Sequence, residues 1–137
     1  MMRKLDRRGV AAFEFCLVAV PLFTLMFVIF DLGRYAITVQ SLRALANASA
    51  RALMIQCYTP ATIANTSPSG CTGSYLSAAQ KQAIAPFLYY GGLSPTLTTT
   101  GGAAALTVTA SQPGFTMLMP IWGAAFNGPS ASTSIPL

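Results

Sequence analysis

The sequence predicts an α+β protein in which a long N-terminal transmembrane helix continues into a small head with a short antiparallel β-sheet. Two observations carry this prediction. From Val10 to Phe30 the chain is apolar except for one charge, Glu14, and Leu106–Ser111 alternates strictly between apolar and polar residues. The first pattern is typical of a membrane-spanning helix, and the second is typical of a strand with one buried face.

Charged residues are scarce and unevenly placed. They make up 8% of the chain, against about 25% in ordinary soluble domains, and the mean hydropathy is +0.56. Basic residues precede the apolar run at Arg3, Lys4, Arg7 and Arg8, and the last charged residue is Lys81. This flank predicts a cytoplasmic N-terminus with the rest of the chain across the membrane, next to anionic lipid. No basic face interleaved with aromatic residues follows, so nucleic acid is not an expected partner.

The apolar run is long enough to be retained in the membrane. As a helix it spans about 30 Å, the thickness of a bilayer core. A secretory signal peptide has an apolar core of about 7–15 residues and ends at a small-x-small site. Asp31–Arg34 offers no such site, and Ala48–Ala50 has suitable letters but lies beyond Arg34. A retained helix is therefore favoured over ordinary signal-peptide cleavage.

Glu14 is unexpected inside this run, because an ionisable group in a membrane segment costs about 2–3 kcal/mol and usually has a function. One interpretation is that Glu14 lies one turn inside the cytoplasmic interface and reaches the water. Its surroundings favour a second interpretation. Basic residues, then Gly9, then Glu14 and Phe15, then a long apolar helix, form the pattern of a class III signal peptide.

The stretch resembles the prepilin-like proteins of bacterial type IV and Flp/Tad pili, and above all the TadE-like pseudopilin family. The matching residues are Arg7, Arg8, Gly9, Ala12, Glu14, Phe15, Leu17 and Pro21. Further on, Phe30–Arg34 resembles the aromatic-acid/glycine-arginine step that follows the membrane segment in this family.

The resemblance implies that a prepilin peptidase cuts after Gly9, which would make Val10 the first residue of the mature chain. The residues implied in recognition and cleavage are Arg7, Arg8, Gly9, Val10, Glu14 and Phe15. In pilins this glutamate is thought to pair with the N-terminal amine of a neighbouring subunit. Glu14 would then set the register between subunits, because a buried carboxylate is tolerated when a cation meets it.

Four segments follow from these patterns: a basic leader (1–9), a transmembrane helix (10–31), a helix extension (32–56) and a small head (57–137). In the extension, the polar residues Gln40, Arg43, Asn47 and Arg51 fall on one face, and Leu42, Leu45, Ala46, Ser49 and Leu53 fall on or near the other. The apolar face is expected to pack on the chain's own head, with packing against other subunits as the alternative.

The head is expected to contain a disulfide. Cys57 and Cys71 bracket a loop rich in Thr, Ser, Pro and Gly, and a periplasmic compartment favours their oxidation over two free thiols. Metal binding is not expected, since the chain has no histidine and no CxxC spacing. Ser77 and Gln80 predict a capped helix that Pro86 kinks or ends and that Gly91-Gly92 terminates.

An aromatic cluster, a β-like region and the chain end complete the head. Phe87, Tyr89 and Tyr90 are expected in the core, with a partner-facing role as the alternative. The rest is β-like, with a turn at Gly101-Gly102, and includes the apolar stretch Phe115–Trp122. The last residues, from Asn127, are expected to fray.

No catalytic group can be assembled from this sequence. The only acids are Asp6, Glu14 and Asp31, and the hydroxyl groups have no base. The prediction is a non-enzymatic minor pilin or pseudopilin of a Tad (Flp) type IVc pilus or related secretion apparatus, anchored in the inner membrane, without cofactor. Expected partners are the prepilin peptidase, other pseudopilins, the major pilin, the inner-membrane platform proteins and membrane lipid. The alternatives are an uncleaved envelope adaptor and an adhesin-like tip subunit, which exposed aromatics at Tyr89, Tyr90 or Trp122 would favour.

Overall fold

A long N-terminal helix organises the fold. This computed structural model describes the backbone of residues 7–137 and the side chains of residues 9–137, so most of the predicted leader lies outside the described residues. Helix α1 runs from Arg7 to Leu53 and contains Pro21 without interruption. At about 1.5 Å per residue, its 47 residues extend for roughly 70 Å. The helix therefore reaches from the predicted membrane segment far into the head.

The helical path continues beyond α1. A π-helical turn, Met54–Tyr58, joins α1 to helix α2, Thr59–Ile63. The loop predicted to start at Cys57 therefore begins only after Ile63, and this part of the prediction is wrong. Pro60 lies in the first turn of α2, where a missing N–H is tolerated, so the proline does not end the helix.

The short helix of the head forms as predicted. Helix α3 spans Ala78–Ile84, and Ser77 and Gln80 make both bonds of a capping box. The Ser77 N–H donates to Gln80 Oε1 over 2.9 Å, and the Gln80 N–H donates to Ser77 Oγ over 3.2 Å. A 3-10 segment, Pro86–Gly92, follows directly and confirms that Pro86 ends the helix.

Three antiparallel strands make the predicted sheet, in the order β1-β2-β3. The strands are β1 (Thr96–Gly101), β2 (Ala105–Ser111) and β3 (Ser130–Pro136). A tight turn joins β1 to β2, closed by a hydrogen bond from the Gly102 N–H to the Ala105 carbonyl. Gly101 must be glycine, because a Cβ there would collide with the Ser69 carbonyl. The turn predicted at these two glycines is confirmed.

The core lies between one face of this sheet and the second half of α1. Leu106, Val108 and Ala110 of β2 are buried, as strict alternation predicts. They pack with four α1 residues of the predicted apolar face, Leu42, Leu45, Ala46 and Leu53, and with Ala50, which was not assigned to that face. The helix extension thus packs on its own head. The residues of its predicted polar face are exposed: Gln40, Arg43, Asn47 and Arg51.

The C-terminal half departs from the prediction in two places. The residues expected to fray contain β3, which pairs with β2 along its whole length, from Ser111 opposite Ser130 to Ala105 opposite Pro136. The stretch Phe115–Trp122 is a loop with one 3-10 turn, Pro120–Trp122, rather than a strand. Pro120 cannot donate a hydrogen bond to a neighbouring strand, so the apolar composition of this stretch was not sufficient to predict a strand.

Candidate membrane and assembly site

The first half of α1 exposes apolar side chains that the head does not cover. One helix of the described chain is long and apolar enough to cross a membrane, and almost none of its apolar stretch is buried. Leu17, Leu22 and Phe30, for example, are each more than half exposed. Such a surface needs lipid or other subunits around it.

Glu14 lies on this uncovered surface, between Phe13 and Phe15, which are 68% and 69% exposed. Among the side chains of residues 9–137, none forms a salt bridge or hydrogen bond with the Glu14 carboxylate. A charge in an apolar setting is costly unless a cation pairs with it. Any partner for this carboxylate must therefore come from outside the described part of the chain.

Gly9 and Val10 lie in the first turn of α1 and are exposed. A Cβ built on Gly9 would meet nothing within 4 Å. The packing of the described chain therefore gives no reason for glycine at this position. Of the other predicted recognition residues, Phe15 is exposed on α1, whereas the side chains of Arg7 and Arg8 lie outside the described residues.

Asp31 has a role that the sequence analysis did not find. Its side chain is 1% exposed, although it directly follows the apolar run. The Leu118 N–H donates to both carboxylate oxygens over 3.1 Å, and the Met119 N–H donates to Oδ2 over 3.0 Å. Arg34 Nη1 lies 3.4 Å from Oδ1. Asp31 thereby links the Leu118–Met119 backbone of the head to the end of the apolar run of α1. The Asp-x-x-Arg spacing was visible in the sequence, but the bonded N–H groups lie 87 and 88 residues away.

Aromatic side chains reinforce this junction. The Tyr35 ring meets Phe126 edge-on at 5.1 Å and Phe115 at 6.2 Å, while Trp122 meets Phe126 at 5.6 Å. The Arg34 guanidinium lies 5.3 Å from the centre of the Phe115 ring. Edge-to-face pairs of this kind add stability beyond the area they bury.

The predicted disulfide forms between Cys57 and Cys71, whose Cα atoms are 5.9 Å apart. It fastens the end of the long helix to the loop that follows α2. Cys71 is buried in the core cluster beside Leu53 and Leu106. The third cysteine, Cys16, is unpaired and exposed on the membrane segment.

The aromatic residues near Pro86 are only partly in the core. Tyr89 packs against the core cluster, but Phe87 is 38% exposed and Tyr90 is 81% exposed. The prediction that all three belong to the core is therefore wrong for Tyr90. Phe87 and Tyr90 line a cavity of about 250 Å³, together with Arg34 and Thr38 of α1.

The chain thus consists of a long helix whose first half is apolar and uncovered, with a carboxylate near its start, and a head that packs on the second half of the helix. Residues 9–51 match the family model for TadE-like proteins. This TadE-like segment contains Gly9, Glu14 and Asp31, and it confirms the resemblance drawn from the sequence. The whole head, residues 57–137, lies beyond the matched residues, and no curated protein and no solved structure matches the chain.

Proposed function

We propose that this chain is a structural, non-enzymatic pseudopilin of a Tad (Flp) type IVc pilus or a related secretion apparatus. Its TadE-like helix anchors it in the inner membrane before assembly, with the leader in the cytoplasm and the head in the periplasm. The Cys57–Cys71 disulfide supports a head in an oxidising compartment. The basic residues before α1 support a cytoplasmic N-terminus.

The observation that carries this proposal is that Glu14 lies on an uncovered apolar helix and has no partner among the side chains of residues 9–137. In the proposed assembly, the prepilin peptidase cuts after Gly9, and the new amine of Val10 meets Glu14 of a neighbouring subunit. A lone carboxylate in lipid is unfavourable, whereas the same carboxylate beside an ammonium group is neutralised. The ion pair would therefore stabilise the one axial register of adjacent helices that brings the two groups together.

The glycine at position 9 supports processing at that bond. Nothing in the described chain contacts the position where a side chain would lie. Glycine is also unfavourable in a helix by about 0.5–1 kcal/mol relative to alanine. A peptidase that admits the backbone into a narrow cleft gives a reason for glycine that the fold does not give.

The decisive measurement is the intact mass and N-terminal sequence of the protein from native membranes. Wild type should start at Val10, and the Gly9→Ala variant should keep its leader. Gly33→Ala is the matched control, since a Cβ there also meets nothing within 4 Å and the change lies in the same helix. The control should be processed normally. A wild-type chain that keeps its leader would remove the processing claim and leave the uncleaved envelope adaptor as the better description.

The role of Glu14 is tested separately. Glu14→Gln keeps the shape of the side chain but removes its charge. It should be processed and inserted like wild type yet lose association with other pilus subunits, measured by crosslinking in intact membranes. Because Glu14 has no contact with the head, head stability should not change. Unchanged crosslinking in the Gln variant would contradict the pairing.

One observation favours a second candidate function, that of an adhesin-like tip subunit. Tyr90 is 81% exposed and lines the cavity beside Arg34. Exposed tyrosines are common anchors at binding surfaces. Under this alternative, Tyr90→Ala should leave pilus assembly intact and reduce attachment of the bacteria to surfaces. Equal attachment by the variant would argue against it.

A further inference from the structure

The chain carries a second apolar surface, close to the end of its membrane helix. We define the seating loop as Phe115–Gly128. Hydrogen bonds close its base: the Gly128 N–H donates to the Phe115 carbonyl over 3.0 Å, and the Met117 N–H donates to Asn127 Oδ1 over 3.0 Å. At its tip, Leu118 is 74% exposed and Ile121 is 61% exposed. The loop contains no charged residue.

The contacts with α1 fix the height of this loop. The tip is bonded to Asp31, which directly follows the last apolar residue, Phe30. The aromatic contacts of the loop are made with Tyr35, only about 6 Å further along the helix axis. The other head contacts with α1, such as those of Leu42 and Leu53, lie still further from the membrane segment. The seating loop is therefore the part of the head nearest to the membrane.

The dimensions of a bilayer place this loop among lipid headgroups. The run from Val10 to Phe30 fills the hydrocarbon core, which is about 30 Å thick. The polar layers bring a bilayer to about 40–45 Å, so each is about 5–7 Å deep. A loop held between the levels of Asp31 and Tyr35 lies within that depth.

We propose that the seating loop rests in the lipid interface on the head's side of the membrane, with Leu118 and Ile121 inserted at the boundary between headgroups and acyl chains. This inference rests on the proposed membrane anchoring of α1. The partner is the bilayer itself, because the exposed loop is bonded to Asp31, which directly follows the uncovered apolar surface of the helix. Trp122 and Tyr35 lie at the level where aromatic belts form in membrane proteins. Arg34 beside them is 39% exposed and can reach a lipid phosphate.

Two contacts with the bilayer would limit how the head can tilt. A single helix leaves a periplasmic head free to lean in any direction. A loop that inserts beside the helix fixes one side of the head against the membrane. The exposed polar face of α1, which includes Arg43 and Arg51, would then be presented in a constant direction to other subunits.

The test uses spin labels on the full chain in vesicles of phosphatidylethanolamine and phosphatidylglycerol. Cys16, the unpaired cysteine, is first changed to alanine, and single cysteines are introduced as Leu118→Cys, Ile55→Cys and Phe23→Cys. Ile55 is the matched control, since it is 73% exposed but lies far along the helix from the membrane segment. The readout is the ratio of collisions with apolar oxygen to collisions with a water-soluble nickel chelate.

The expected ratio is several-fold higher at position 118 than at position 55, and highest at position 23. If the label at position 118 gives the same collision ratio as the label at position 55, while the label at position 23 lies in lipid, this inference is overturned and the membrane anchor stands. An aqueous label at 23 overturns the anchor and this inference together. A label at 118 that neither reagent reaches, and that broadens as protein concentration rises, overturns the lipid assignment in favour of a second copy of the chain.

A second measurement needs no cysteine. Trp122 is the only tryptophan in the chain. Its fluorescence in vesicles should be quenched by lipids brominated near the glycerol end of the acyl chain. The double variant Leu118→Asp and Ile121→Asp should lose most of this quenching, and Ile55→Asp should keep it. Equal quenching in the double variant and wild type would contradict the proposal.

Discussion

Replacing Asp31 with alanine should release the seating loop from helix α1. In the wild-type protein, the buried carboxylate accepts hydrogen bonds from the Leu118 and Met119 N–H groups over 3.0–3.1 Å. The substitution leaves both N–H groups without this acceptor. The aromatic contacts of Tyr35 still hold the loop, so the rest of the head should remain folded.

The magnitude follows from the number and kind of bonds. A hydrogen bond to a charged group contributes about 1.5–3 kcal/mol, which gives about 3–6 kcal/mol for the two N–H groups. Water can reach part of the opened site, because Leu118 is 74% exposed, so a net loss of about 2–4 kcal/mol is expected. The Arg34 pair adds little, since its side chain is 39% exposed. At 1.4 kcal/mol per factor of ten, the loop should open about 30- to 700-fold more often.

Hydrogen exchange, measured by mass spectrometry on the detergent-solubilised full chain, reports how often the seating loop opens. Amide exchange in peptides covering residues 115–119 should accelerate by that factor in Asp31→Ala. Asp31→Asn, which keeps one acceptor oxygen but no charge, should fall between wild type and alanine.

A matched control lies on the same helix. Asn47 Oδ1 accepts a hydrogen bond from the Thr133 hydroxyl over 2.6 Å, so Asn47→Ala should affect β3 and leave residues 115–119 unchanged. If exchange in residues 115–119 is the same in Asp31→Ala and in wild type, the carboxylate does not hold the loop, and the reasoning fails.

Two further predictions concern the head. Replacing Cys57 and Cys71 together by alanine should remove about 3 kcal/mol of stability, the value for a loop of about 15 residues, and lower the Tm by about 10–25 °C for a head of this size. Thermal unfolding with and without reductant checks this, since reductant should lower the Tm of wild type but not of the variant; equal melting of variant and wild type would contradict it. Ser49 is buried, and its Oγ has no hydrogen-bond partner among residues 9–137. Ser49→Ala should therefore be neutral or raise stability by up to about 1 kcal/mol, and denaturant unfolding that shows a loss above that size would mean that the hydroxyl has a partner after all.

Patterns confined to short stretches could be predicted without the structure. The apolar run from Val10, the alternation in β2 and the Ser77–Gln80 capping box each depend on neighbours a few residues apart. The disulfide also followed from two cysteines around a short loop. These signals are periodic or local, so one sequence is enough to recognise them.

The strand β3 and the exposed Tyr90 could not be predicted in this way. Ser130–Pro136 is built mainly from serine, threonine and alanine, and of these residues only Ile135 is a large buried apolar residue. Its strand conformation depends on hydrogen bonds to β2, a partner that sequence composition does not reveal. Tyr90 is an aromatic residue of a kind often found in cores, yet its side chain is 81% exposed. It directly precedes Gly91, whose φ of +71° changes the direction of the backbone there.

The sequence by itself determined the long apolar helix, the Gly9–Glu14 pattern and the TadE-like character of the first part of the chain. Only the tertiary structure decided that Asp31 holds Leu118 and Met119, and thereby that an apolar loop lies against the end of the membrane segment. The physical reason is distance along the chain. A carboxylate and an N–H group 87 residues apart leave no shared pattern in the sequence, and they meet only because the packing of the head on α1 brings them together.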